Sequence, residues 1–189
     1  LGHEDFTDSS NVFISGFNYQ GGQLASQKYF QATRHGTRVS GIIGAVTNNG
    51  IGMAGIAGGT GMRDFARLYA LKIGSWDPIN ARVTGSISAI AAAIFEASTN
   101  SGSPKPGALA CDLINLSIQF LPSGGIGSWN EILCSAIAYA YRNDVPVINS
   151  IGNEPIQIVL NYLNVAMPAS VDEDYIIVVG GMDGDQLWL

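Results

Sequence analysis

The apolar positions of this chain change period several times, and each change marks an element. Val12-Phe13-Ile14 reads as a short strand, and the polar, Gln-rich stretch from Gly16 to Ala32 reads as a loop. From His35 the period becomes helical. Val39, Ile42, Ile43 and Val46 follow i, i+3, i+4, i+7 and build one apolar face, which Asn48-Asn49-Gly50 ends. A glycine-rich stretch, Gly50 to Gly61, leads into Leu68-Tyr69-Ala70-Leu71-Lys72-Ile73, which reads as a buried strand. Ile87, Ile90, Ala91 and Ile94, with the flanking alanines, predict the next helix, broken at Asn100-Ser101-Gly102-Ser103-Pro104. Leu113-Ile114-Asn115-Leu116-Ser117 is the next strand. Leu133, Ala136, Ile137 and Ala140 carry a third helix, and Val145-Pro146-Val147-Ile148 and Tyr175 to Val179 are further strands. Apolar strands alternating with helices predict an α/β fold with a parallel sheet covered on both faces.

Composition narrows the function classes. The 189 residues argue for one domain, and 47% hydrophobic against 13% charged residues exclude disorder. The 24 glycines follow no repeat, so they mark tight turns and close backbone approaches. With a net charge of -6 and no cluster among nine Lys and Arg, a nucleic-acid or anionic-membrane partner is not expected. The longest nearly apolar run, Ile87 to Phe95, is far below the roughly 20 residues of a membrane-spanning helix. There is no initiator Met and no leader, and Val178 to Asp183 reads like a strand entering a turn that is cut short, so a longer parent chain is expected. Cys111 and Cys134 match no metal spacing and sit in apolar surroundings; two buried thiols are expected ahead of a disulfide.

Two residues suggest chemistry. His35, in Arg34-His35-Gly36-Thr37-Arg38-Val39, opens a helix, where the partial positive charge of the terminus disfavours an imidazolium and suits a proton acceptor. The alternative is a surface histidine at a helix start. Asn153 follows an apolar strand, where ligands of parallel sheets bind, and its amide could donate to a developing oxyanion; the alternative is an ordinary turn asparagine after Gly152. Gly50-Ile51-Gly52-Met53-Ala54-Gly55 fits a dinucleotide fingerprint, but that motif needs a strand before it and a helix opening at it, and here the helix comes first.

Taken together the segments resemble one family. His35-Gly36-Thr37-Arg38-Val39-Ser40-Gly41 resembles the catalytic-histidine motif of the subtilisin-like serine peptidases, the subtilases. Asn48 to Ala57, Leu71-Lys72-Ile73, Ile114-Asn115-Leu116-Ser117, Val147 to Glu154, Met167-Pro168-Ala169-Ser170 and Ile177 to Gly181 follow in the family's order. The resemblance implies a three-layer sandwich with a mainly parallel sheet, incomplete in this chain. It implies His35 as general base of a Ser-His-Asp triad, Asn153 as oxyanion donor, and a peptide or protein substrate. Ser117-Ile118-Gln119 would be the edge that pairs with substrate, and Ser150-Ile151-Gly152 the neighbouring pocket wall. It also implies a structural Ca²⁺ held by Asp5, Asn49, Ile51 and Met53, against the alternative of an ordinary glycine turn, with no cofactor required for catalysis. Secretion is the family's habit.

The departures are specific. His3-Glu4-Asp5-Phe6 resembles the stretch after the family's catalytic Asp, which should therefore lie upstream of Leu1, and no Gly-Thr-Ser nucleophile motif occurs. This segment alone is therefore expected to be inactive and, lacking an interior strand, poorly stable. Gln119 stands where glycine is usual, Ile151 replaces a small residue, and Pro155 follows Glu154 in place of glycine. These departures keep a second reading open, a subtilase-like module that binds peptide without turnover. The P1 preference and the oligomeric state are not fixed by the sequence.

Overall fold

A computed structural model describes residues 3–6, 13–18, 23–24, 34–59, 65–79, 82–99, 111–118, 129–150, 175–183 and 186–187. The chain divides into two compact units, Leu1–Ala89 and Ile90–Leu189.

In the first unit a single turn of 3-10 helix, Glu4–Phe6, precedes strand β1 (Phe13–Asn18) and strand β2 (Gln23–Leu24). β1 pairs antiparallel with β2 and parallel with β3 (Leu68–Lys72), giving the order β2-β1-β3. β1 thus runs past the short strand predicted and into the expected loop, where β2 also lies. Helix α1 (His35–Gly44) sits between the two parallel strands in sequence. It stops short of Val46, because Ala45 turns to extended backbone while donating to Gly41 O at 3.0 Å.

The last carbonyls of a helix need outside donors, and here the glycine-rich loop supplies them. Ile56 N donates to Ile42 O at 2.9 Å, Ala57 N to Ile43 O at 2.8 Å and Gly55 N to Ala45 O at 3.0 Å. A Cβ on Gly55 would lie 2.3 Å from Ala45 N, and one on Gly58 1.8 Å from Ala45 O. Only glycine lets the loop come that close. Phe6, Ala45 and Val46 form a small buried core with Phe65 and Leu68 packed against it. Ile42, expected on the apolar face, is 53% exposed.

After β3 come strands β4 (Gly74–Asp77) and β5 (Arg82–Gly85), an antiparallel hairpin that the apolar pattern does not announce. Asp77 Oδ1 accepts from Ile79 N at 2.9 Å inside its turn, an Asx-type contact. Helix α2 (Ile87–Ser98) starts where Ser86 Oγ accepts from Ala89 N at 3.1 Å, the usual work of an N-cap serine.

In the second unit, the body of α2 buries Ile90, Ala91, Ala93, Ile94 and Ala97. Strand β6 (Ile114–Leu116), helix α3 (Trp129–Arg142), strand β7 (Val147–Ser150) and strand β8 (Ile176–Val179) follow. β6, β7 and β8 form a parallel sheet in that order. Leu133, Ala136, Ile137 and Ala140 are fully buried on one face of α3, as their spacing predicts. The end of α3 is closed by Val145 N donating to Ala140 O at 3.0 Å and by Asp144 in the left-handed region at φ 58°. This turn delivers the chain to β7. Strands β9 (Met182–Asp183) and β10 (Gln186–Leu187) pair antiparallel.

Burial corrects one expectation. The sheet was expected to be covered on both faces, yet Ile177, Val178 and Val179 of β8 are 52%, 39% and 50% exposed, and β3 is half-buried along its length. Among the described residues β8 ends its sheet, so only Ile176 is buried there. The two cysteines are half-buried and not joined in a disulfide.

Candidate functional site

His35 is the first residue of α1 and is exposed. Arg34 before it adopts the left-handed conformation at φ 48°, which brings the chain sharply into the helix, and Arg38 N closes the first turn on Arg34 O at 3.1 Å. A non-glycine residue held there costs about 1 kcal/mol. A Cβ on Gly36 would meet nothing within 4 Å, so the helix surface at Gly36 is open. The helix that carries His35 is anchored at its other end by the loop contacts described above. A helix start held in place and an exposed histidine at it allow proton exchange with a group brought to it.

In the same unit the residues expected around a cation are brought together. Asp5 is 2% exposed, and among the described residues it has no cationic partner. Its Oδ2 accepts from Met53 N at 3.0 Å and its Oδ1 from Asn49 Nδ2 at 3.5 Å, while its backbone carbonyl accepts from Val46 N at 3.3 Å. Asn49 Oδ1 accepts from Ile51 N at 3.0 Å, which folds residues 49–51 into an Asx turn. Gly52, at φ 55°, lies so close to the carboxylate that a Cβ would sit 1.8 Å from Asp5 Oδ2. The loop from Val46 to Ala54 lines a shallow, open hollow of about 220 Å³. No group of three or more His, Cys, Asp or Glu converges among the described residues. The residues that line the hollow offer amide and carbonyl oxygens, and the Asp5 carboxylate beside the loop is bonded to Asn49 and Met53; hard oxygen donors of this kind suit Ca²⁺ and not a transition metal. The same geometry disposes of the dinucleotide fingerprint, since residues 50–52 are bends, 53–55 are irregular and no helix opens at them.

In the second unit, Ser117 and Ile118 leave the carboxyl end of β6, and Ser150 ends β7; all three are half-buried. Asn115 Nδ2 donates to Ser117 Oγ at 3.0 Å. Asn149, 1% exposed, donates from one amide nitrogen to the carbonyls of Leu116 and Ile118, the latter at 3.1 Å. Among the described residues its buried Oδ1 has no donor. Sequence reasoning assigned Asn149 nothing. The available signal was a polar residue on the inward face of an otherwise apolar strand, two positions from fully buried Val147. Gln119, Ile151, Gly152 and Asn153 lie outside the described residues.

Comparison with known proteins gives a family. The model of the subtilase family, peptidase S8, matches residues 5–187. Among solved structures, the S41 psychrophilic protease aligns with a TM-score of 0.60 at 23% identity, covering 90% of this chain and 47% of that one. The epidermin leader peptide processing serine protease (EpiP) from Staphylococcus aureus aligns with a TM-score of 0.53 at 18% identity, covering 83% of this chain and 35% of that one. At these identities the likeness is one of fold. The chain spans about half the length of the first and about a third of the second. No curated protein matches the sequence.

Proposed function

The chain belongs to the subtilase family, and on that premise we propose that it serves in a serine endopeptidase, with His35 as general base. Membership implies a serine peptidase and a protein substrate. The observation that carries the assignment is the placement of His35 at the exposed start of α1. In this reading His35 takes the proton of a serine hydroxyl as that oxygen attacks the peptide carbonyl, then returns it to the leaving amine. Asn153 donates its amide to the oxyanion that forms in between. Residues 117–119 and 150–152 border the extended substrate. Asp5, Asn49 and the carbonyls of Ile51 and Met53 hold a structural Ca²⁺, whose part is to fix the loop after α1 and whose charge takes no part in the chemistry.

No Gly-Thr-Ser, Asp-Ser-Gly or Asp-Thr-Gly occurs in these 189 residues, so the test belongs to the full-length protein. Turnover of a peptide substrate and labelling by a fluorophosphonate are measured with and without His35→Ala. The expected loss of kcat is about 10⁶-fold, a value established within this family and not obtained from the present geometry. Peptide binding with neither turnover nor labelling would replace the reading with that of a binding module. Turnover unaffected by His35→Ala would remove His35 from the chemistry.

A further inference from the structure

We infer that Asn149 is a positioning residue for extended peptides: its side-chain amide sets the direction in which residues 117–118 leave the sheet. The inference rests on the reading above, in which that segment pairs with substrate. The ladder between β6 and β7 ends at the pair Leu116 and Asn149. Ile118 lies two residues beyond the last strand residue of β6, where regular pairing no longer fixes its backbone. The amide nitrogen of Asn149 takes over that task by donating to both Leu116 O and Ile118 O, so one group clamps the carbonyls on either side of Ser117. Asn115 holds the intervening side chain through its bond to Ser117 Oγ. Two asparagines, one from each strand, therefore brace three consecutive residues at the carboxyl end of the sheet, the end at which parallel sheets bind ligands.

The other atom of the amide argues that this brace is not there for stability. Among the described residues nothing donates to the buried Asn149 Oδ1, and an acceptor left so carries a desolvation penalty. Ile114, Leu116, Val147 and Ile176, buried in the same sheet, are all apolar, so a hydrophobic residue would suit the position without that penalty. A local rule broken beside a binding edge is the expected mark of a positioning device.

The experiment uses the full-length protein and two variants, Asn149→Leu, which keeps the volume, and Asn149→Ser, which keeps a shorter donor. Turnover of a six-residue peptide is compared with that of a single-residue ester, together with backbone amide exchange over residues 116–118. The expected result for Asn149→Leu is a fall of about tenfold in the ratio of kcat/KM for peptide to that for ester, carried by KM, with faster exchange at 116–118. Asn149→Ser should lie between. An unchanged ratio in folded variants overturns the inference. If the wild-type protein cleaves neither substrate, the peptidase reading fails by itself. Exchange at 116–118 then decides the brace: protection unchanged in Asn149→Leu overturns it, and protection lost upholds the positioning role for a bound peptide.

Discussion

Asp5 and Asn149 are both nearly inaccessible polar residues, both reach across to backbone groups of another segment, and they solve the problem of burial in opposite ways. Asp5 is an acceptor that collects N–H donors from a loop more than forty residues away, and each of its carboxylate oxygens has a partner. Asn149 is a donor that gives its N–H groups to the end of a neighbouring strand and leaves its own oxygen without one. A buried charge must be satisfied or it unfolds the region around it. A buried neutral amide can be left half-satisfied at a cost of about 1–3 kcal/mol, and so it can be placed where geometry matters more than stability. The first unit therefore uses Asp5 to build the fold, and the second uses Asn149 to aim a segment.

The largest test of that contrast is removal of the charge. Asp5→Ala leaves Met53 N without its acceptor and removes the bond to Asn49 Nδ2, with an expected loss of about 3 kcal/mol in unfolding free energy by denaturant titration. In the full-length protein a chelator should lower the melting temperature of the wild type and leave Asp5→Ala unaffected. A wild-type melting temperature indifferent to chelator would remove the Ca²⁺ and leave Asp5 as a hydrogen-bonded clamp.

Next in size is Gly52→Ala. The new methyl would overlap Asp5 Oδ2, and the left-handed backbone at φ 55° adds strain, for an expected loss of about 2 kcal/mol. Gly50 offers the control: it is also left-handed, at φ 72°, but a Cβ there meets nothing, so Gly50→Ala should cost only about 1 kcal/mol. In an Asp5→Ala background the two substitutions should cost the same, since the methyl no longer has a carboxylate to displace. A Gly52 penalty that persists in that background would mean that the backbone, not the aspartate, demands the glycine.

Asn149→Leu should then change unfolding free energy by less than about 1 kcal/mol, because two lost hydrogen bonds are set against the removal of an unpaired oxygen. A loss as large as that of Asp5→Ala would erase the distinction between the two residues and make Asn149 a second builder of the fold.

The contrast also explains what could be read from the sequence. Helices α1, α2 and α3 were legible because burial imposes its period on the chain, and Leu133, Ala136, Ile137 and Ala140 show that imposition at its strongest. The β4–β5 hairpin was not, because short strands of Gly, Ser, Trp, Asp, Arg, Val and Thr carry no alternation and answer to each other instead of to a core. β8 was legible as a strand but its exposure was not, because an apolar run does not say whether a strand has a neighbour on both sides. Around the site, the helix that His35 opens was legible from its apolar period, and the structure brings Asn49 to Asp5. Asn149 was missed because its meaning lies in two carbonyls more than thirty residues away, and nothing local in Val147-Ile148-Asn149-Ser150 names them.

Cys111 adds a third way to keep a polar group inside, and the smallest of the expected effects. It lies in the second unit, its N donating to Ala97 O at 2.8 Å, in the stretch that links α2 to β6. Burial, then the nearby negative charges of Asp112 and Glu96, raise its thiol above the ordinary 9.0, so it avoids charge where Asp5 accepts one. Because the folded state holds this proton more tightly than the unfolded one, the contribution is complete below the unfolded value and is lost as pH rises through the folded one. Stability of the wild type should therefore fall on titration above about pH 9, and Cys111→Ala should flatten that fall without altering the curve between pH 6 and 8. A variant that loses stability at alkaline pH as steeply as the wild type would assign the effect to other groups. It would leave the thiol as a mere space-filler beside α2, with no share in the handling of buried polarity that separates the two units.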